Sequence, residues 1–159
     1  MAQVFPEDLM GAMIFLASRI PESVNWAVDG SSTIALQGVD VTPHDLDILT
    51  DSDGAYKIAD ALKGYALERI EYGSTDKYRS HSGVFLIGGV KVEIMGDLQL
   101  FRNGKWADVQ NPEKSGIETV PINTTLIPVV PLTYLRKTGY FEERIARKEK
   151  EYHGFDGSG

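Results

Sequence analysis

Residues 26–49, Trp-Ala-Val-Asp-Gly-Ser-Ser-Thr-Ile-Ala-Leu-Gln-Gly-Val-Asp-Val-Thr-Pro-His-Asp-Leu-Asp-Ile-Leu, constrain the fold of this chain more than any other stretch. Val24, Trp26 and Val28 alternate with other residues from Ser23 onward, the pattern of a half-buried strand. Asp29 and Gly30 break that pattern, and Ser31 to Gln37 then fits about two turns of helix closed by Gly38. Val39 to His44 reads as a loop, because Pro43 biases Thr42 away from helix. Asp45 to Leu49 is a second strand, with Leu46 and Ile48 on one side and Asp45 and Asp47 on the other. A strand, a tight turn, a short helix and a second strand thus carry a glycine turn and two carboxylates that share a face.

The rest of the chain supplies a sheet and its cover. Pro6 suits the first position of a helix whose first turn holds Glu7 and Asp8, where the helix dipole favours anions. Leu9, Met13, Leu16 and Ile20, with Met10 and Ala17, form its apolar stripe, and Pro21 stops it. Asp51, Ser52 and Asp53 offer caps for a helix over Gly54 to Lys63, whose Tyr56, Ile58, Ala59 and Leu62 supply the buried side. Tyr65 to Tyr72 has strand composition with charges on both faces, as at a sheet edge. Gly73 to Ser82 is polar and reads as a loop. Val84 to Ile87 and Val90 to Met95 flank Gly88-Gly89, the signature of a two-residue hairpin. Val90, Val92 and Ile94 then face one side, and Lys91 and Glu93 the other. Asn103-Gly104 marks a second hairpin that sets Phe101 opposite Trp106 as an aromatic staple. Ile117 to Ile122, interrupted by Pro121, is an edge strand. Pro128 and Pro131 delimit a turn, and Pro131 opens a helix through Lys137 that stops at Gly139. Tyr140 to Tyr152 reads as a charged helix with Glu143 and Arg147 four apart. The whole is expected to form one domain over residues 1–153, with a frayed Gly-rich tail over 154–159.

Charge and cysteine content exclude several function classes. The net charge of −7 argues against an extended nucleic-acid surface, since phosphate backbones are held by clustered Lys and Arg. No cysteine is present and the three histidines, His44, His81 and His153, are dispersed, so metal would fall to carboxylates. The apolar run from Gly11 to Ala17 is too short to span a bilayer, and Glu7 and Asp8 stand where a signal peptide carries positive charge. A soluble, cytoplasmic protein without a membrane partner is the expectation.

Gly30 lets the backbone turn tightly and approach a ligand, and the free N–H groups that follow point at an anion. Ser31 adds a hydroxyl for phosphate or for a plain helix cap, which an isolated Gly-Ser more often is. Asp45 and Asp47 have Cα atoms about 6.6 Å apart on one strand face, close enough for their side chains to enclose a hard cation such as Mg²⁺. An isolated pair of this kind is usually two surface acids, but Glu93 on a neighbouring strand supplies a third. Three converging carboxylates repel one another, which predicts a bound metal or raised pKa values. Such a site suits phosphoryl-type transfer, with Glu93 placed to help deprotonate an acceptor. Lys77, Arg79, Lys91 and Lys137 are the cations available to offset phosphate charge, and only Lys91 shares the face of Glu93.

Gly30-Ser31, thirteen intervening residues, then Asp45-Leu46-Asp47-Ile48, followed by Val92-Glu93-Ile94, resembles the nucleotidyltransferase superfamily with the polymerase-beta-like fold. The stretches around Trp26 to Ser31 and Pro43 to Asp47 are most similar to its small branch of lincosamide nucleotidyltransferase-like and minimal, antitoxin-type members. The resemblance implies an α+β fold with a mixed central sheet, flanking helices and a C-terminal helical extension. It implies Asp45, Asp47 and Glu93 as catalytic metal ligands, with Mg²⁺ or Mn²⁺ as the cofactor, and Gly30 and Ser31 as binders of a nucleoside triphosphate, with ATP expected. It further implies transfer of a nucleoside monophosphate to a hydroxyl on a small molecule or protein, with pyrophosphate released. A second class stays open: a nucleotide-binding regulatory module or antitoxin component, with a protein partner and little turnover.

Overall fold

The structure is a computed structural model and describes residues 5–143, 145 and 146. In chain order its elements are α1 (Glu7–Arg19), β1 (Trp26–Asp29), α2 (Gly30–Leu36), β2 (Leu46–Thr50), α3 (Ser52–Ala61), β3 (Ala66–Ser74), β4 (Tyr78–Ile87) and β5 (Val90–Arg102). They continue as β6 (Lys105–Trp106), α4 (Pro112–Ser115), β7 (Glu118–Ile122), β8 (Thr125–Val129) and α5 (Leu132–Thr138). The strands form one eight-stranded sheet in the order β3-β4-β5-β2-β1-β8-β7, with β6 beside β5. β2 runs parallel to β5 and β1 to β8, and the remaining pairs are antiparallel. This is the mixed-sheet α+β fold that the sequence implies.

Alternation along the central strands divides the apolar residues between two cores. Val28, Leu46, Ile48, Val92 and Ile94 pack with Leu9, Met13 and Leu16 of α1 and Ala55 and Ile58 of α3. Ala27, Leu49 and Met95 point the other way and pack with Ile34 of α2, Leu135 of α5 and Tyr140. Asp47 lies two residues before Leu49 and Glu93 two before Met95, so they share the face covered by α2 and α5.

The helices begin and end for local reasons. Pro6 is the cap of α1 rather than its first residue, with Glu7 and Asp8 in the first turn as expected. The Asp51 carboxylate accepts a 2.6 Å bond from the Gly54 N–H and starts α3. That helix buries Gly54, Ala55 and Ile58, and its C-cap Leu62 is buried with them. Tyr56 was expected on this buried side but is 46% exposed, because it sits two residues, about 200°, from both Gly54 and Ile58. α5 is capped by Pro131 and closed by Gly139 at φ +82°.

Both hairpins form. Gly88 and Gly89 take φ of +55° and +81°, and Phe101 pairs with Trp106, ring centroids 5.2 Å apart. β3 lies at the predicted edge. Two expectations about the strands fail. The polar stretch from Gly73 to Ser82 is mostly strand, with Gly73, Tyr72 and Glu71 paired to Ser80, His81 and Ser82, because an exposed hairpin tolerates polar side chains that mimic loop composition. The expected turn at Pro128 is instead strand β8. In the two-residue hairpin after Ile122 the flanking pair Ile122–Thr125 is the bonded one, so alternation puts Pro121 and Pro128 in non-bonded pairs, where a missing N–H costs no rung between these two strands.

Residues 140–143, 145 and 146 are helical. The remainder of the expected 140–152 helix, Arg147 of the expected Glu143–Arg147 pair, His153 and the tail over 154–159 lie outside the described residues. Among the described residues no helix is long and apolar enough to cross a membrane.

Candidate active site

Strand register assembles the carboxylates. Asp29 of β1 stands directly opposite Asp47 of β2, and Asp47 directly beside Glu93 of β5. Residues paired in this way point to the same face, and neighbouring strands lie about 4.8 Å apart. Three acids therefore form a row across the three central strands. Asp45 occupies the bend just before β2 and is exposed. Asp47 and Glu93 are thus brought together, with Asp45 at their edge. Asp29 is the member that sequence reading passed over as a strand break, because its place beside Asp47 depends on a strand register that composition does not reveal.

The turn after β1 is built against the row. Gly30 has φ +66°, and a Cβ there would collide with the Asp47 carboxylate. The glycine is required by an acid of the same chain, beyond any need for a ligand to approach. Ser31 is half-buried. The next residue, Ser32, is fully buried and donates a 3.1 Å bond to the Asp45 carbonyl, tying the turn to the first acid. Thr33 Oγ1 and Gln37 Nε2 donate to the Val130 carbonyl at 2.8 and 2.9 Å, anchoring α2 to the end of β8. Asp29 caps α2 by position without a side-chain cap bond, is 2% exposed, and its Oδ1 has no hydrogen-bond partner among the described residues.

Burial pushes the Glu93 carboxyl above the usual carboxylate range, and the negative charge of Asp47 pushes it further the same way. Lys91 pulls it back down, while Glu68 and Asp45 add smaller upward contributions. Lys91 is exposed one alternation away on β5. Burial also raises the Tyr134 hydroxyl on α5, helped by Tyr140, Asp29 and Asp108.

A cleft of about 540 Å³ opens beside Asp47 and Glu93 and is walled by Ser80, Met95, Leu98, Leu100 and Tyr140. At its far end lie Lys77, Tyr78, Phe101, Arg102 and Glu143. Arg102 pairs with Glu143 and stacks on the Tyr140 ring at 4.3 Å, which ties the helical residues after α5 to the end of β5. Of the proposed phosphate cations, Lys77 lines the cleft. Arg79 stacks on Trp106 at 4.2 Å and donates to Gln99 at 2.9 Å, and Lys137 is exposed at the end of α5.

The acids form a row rather than a cage: among the described residues no three His, Asp or Glu side chains are already gathered around one point. The donors are all hard oxygens, which suit Mg²⁺ or Mn²⁺.

A mixed sheet with a glycine turn after its central strand and paired acids on the next two strands defines a member of the nucleotidyltransferase superfamily. Over residues 15–157 the chain matches the family model of aminoglycoside-2''-adenylyltransferase, and it belongs to that family. It is also similar to the crystal structure of a candidate nucleotidyltransferase from Thermotoga maritima, at 32% identity and a TM-score of 0.80, over 98% of this chain and 97% of that one. No curated protein matches the sequence.

Proposed function

We propose that this transferase moves a nucleoside monophosphate from a nucleoside triphosphate, ATP in the first instance, to a hydroxyl on a small molecule or protein, and releases pyrophosphate. The observation that carries the proposal is the register of Asp47 beside Glu93, with the Gly30 turn packed against Asp47. Asp45, Asp47 and Glu93 would hold Mg²⁺ or Mn²⁺, which typically takes one or two carboxylates and completes its shell from phosphate and water. When bound, the metal supplies charge neutralisation for the phosphates and for the attacking oxygen.

The chain's own groups divide the remaining work. The N–H groups after Gly30 and the Ser31 hydroxyl bind the triphosphate, and Lys91 offsets part of its charge. The acceptor oxygen bonds to the α-phosphorus as the bond to pyrophosphate breaks. Glu93, whose burial favours the protonated form, takes the acceptor's proton.

The test is pyrophosphate release from ATP and Mg²⁺ across a panel of hydroxyl acceptors, aminoglycosides first because the family is named for such an activity. Asp47→Ala should lower turnover by at least about a hundredfold, the scale of losing one main source of transition-state charge stabilisation. Unchanged turnover in Asp47→Ala would overturn the proposal. Tight binding of ATP with no turnover on any acceptor would favour the regulatory class instead.

A further inference from the structure

The two ends of the sheet are finished differently. At the β7 end Pro121 stands in a non-bonded pair with β8, so the N–H it lacks is one that would face the open edge. At the β3 end the row of donors is intact. The Thr75 N–H donates to the Tyr78 carbonyl at 2.8 Å across the hairpin turn. Pairing then runs without a shift through Ser74–Arg79, Gly73–Ser80, Tyr72–His81 and Glu71–Ser82, and the ladder becomes irregular only below Glu71. Bonded pairs alternate, so Gly73 and Glu71 bond to β4 while Tyr72 and Ser74 turn their N–H and C=O groups outward. The neighbouring β4–β5 ladder is not regular here: Arg79 pairs with Gln99 and His81 with Gly96, so β5 carries one more residue, near Asp97. A regular edge with outward donors and no proline is a template for another strand.

We infer that the β3 edge pairs with the same edge of a second copy of this chain, antiparallel about a twofold axis at Gly73. In that register Tyr72 of each copy faces Ser74 of the other in a bonded pair, and the two Gly73 residues meet in a non-bonded one. Charge selects both the occupant and the register. Glu71 faces Thr75 of the second copy and lies diagonal to the turn that carries its Lys77. Lys77 has no ion pair among the described residues, and Glu71 has only a 4.0 Å contact with Arg69. The complementary pair occurs twice, as symmetry requires. An axis at Tyr72 would instead set the two Glu71 carboxylates diagonally across the seam and run the pairing into the irregular stretch. Tyr72 is 56% exposed, with its ring 5.0 Å from that of His81. The His81 ring is in turn 5.6 Å from the Tyr56 ring, whose hydroxyl lies 2.9 Å from Nδ1. A ring held in this way loses little freedom when it is covered. The two Tyr72 rings sit diagonally across the axis, within reach of each other, so the aromatic band continues from one copy into the next. The pairing does not depend on the nucleotidyltransfer reading.

Sedimentation velocity of the full chain, from low to high micromolar concentration, should show a monomer–dimer equilibrium. Tyr72→Pro removes one outward N–H from each copy and should weaken the dimer by at least about tenfold, the scale of the hydrogen bonds lost. The monomer should stay folded, because that N–H points away from β4. If Tyr72→Pro fails to fold, Tyr72→Lys leaves the backbone intact and should weaken the dimer by setting two like charges across the axis. A cross-link tests the register. The chain has no cysteine, and nothing lies within 4 Å of a Cβ added at Gly73. Cα atoms of a non-bonded antiparallel pair are about 4.5 Å apart, within disulfide range. Diamide should therefore oxidise Gly73→Cys to a covalent dimer at least about tenfold faster than Leu67→Cys, an exposed position outside the paired stretch. A wild-type chain that stays monomeric, or a dimer that survives in the folded Tyr72 variants, overturns the inference. So does a Gly73→Cys protein that cross-links no faster than Leu67→Cys.

Discussion

At Gly30 one added methyl group is enough to disturb the site, for two separate reasons. Its φ of +66° is costly for a residue with a Cβ, by about 1–2 kcal/mol, and that Cβ would meet the Asp47 carboxylate. Gly30→Ala should therefore keep the fold, seen as a melting transition lowered by several degrees, yet lose most affinity for the ATP analogue in a fluorescence titration. Glu93 makes the opposite bargain between stability and activity. Its folded-state pKa is raised above the ordinary 4.5, so the folded protein binds this proton more tightly than the unfolded chain. Stability is then fullest below pH 4.5 and declines as pH rises from there through the raised value. Glu93→Gln removes that decline: in metal-free urea titrations it should match wild type in acid and exceed it near neutral pH, while its transferase turnover is lost. A variant that is less stable than wild type near neutral pH would contradict this account. Both glycine and acid were singled out from the sequence, because each obeys a local rule. Asp29 and Ser80 were not, since what makes them notable is a buried side-chain oxygen with no hydrogen-bond partner among the described residues.

The elements were readable where local chemistry and tertiary placement agree. α1 and α3 have capping residues and an apolar stripe, and the Gly88-Gly89 and Asn103-Gly104 turns have the residues that positive φ requires. The start of β4 and the whole of β8 were missed. In both, the deciding factor is pairing with a distant strand, which lets polar residues and a proline sit in a ladder. The start of α3 offers a direct check on local chemistry. Asp51→Ala removes the acceptor of the Gly54 N–H bond and should lower stability by about 0.5–2 kcal/mol, the usual worth of an N-cap, as measured by chemical denaturation. A loss near zero would mean that the neighbouring Asp97 carboxylate, which accepts from the Ser52 N–H at 3.1 Å, holds the helix start alone.

At the scale of the molecule, the two cores share the same strands, so neither face is energetically separate. Ile94 is completely buried against α1 and α3, while Met95, the next residue, belongs to the core under α2 and α5. Ile94→Ala should cost about 2–5 kcal/mol, and far-ultraviolet and aromatic circular dichroism should still report a single coincident transition; two separated transitions would show that the faces melt independently. The superfamily was legible from three short motifs, because their spacing is imposed by chemistry. The cleft was not, because its walls depend on a residue count. The extra residue near Asp97 reverses the in-out parity of everything beyond it on β5, so that Leu98 and Leu100 line the cleft while Gln99 turns to Arg79 on the opposite side. A single-codon deletion there would swap an apolar wall for a polar one, so that an indel rather than a substitution changes what the cleft presents.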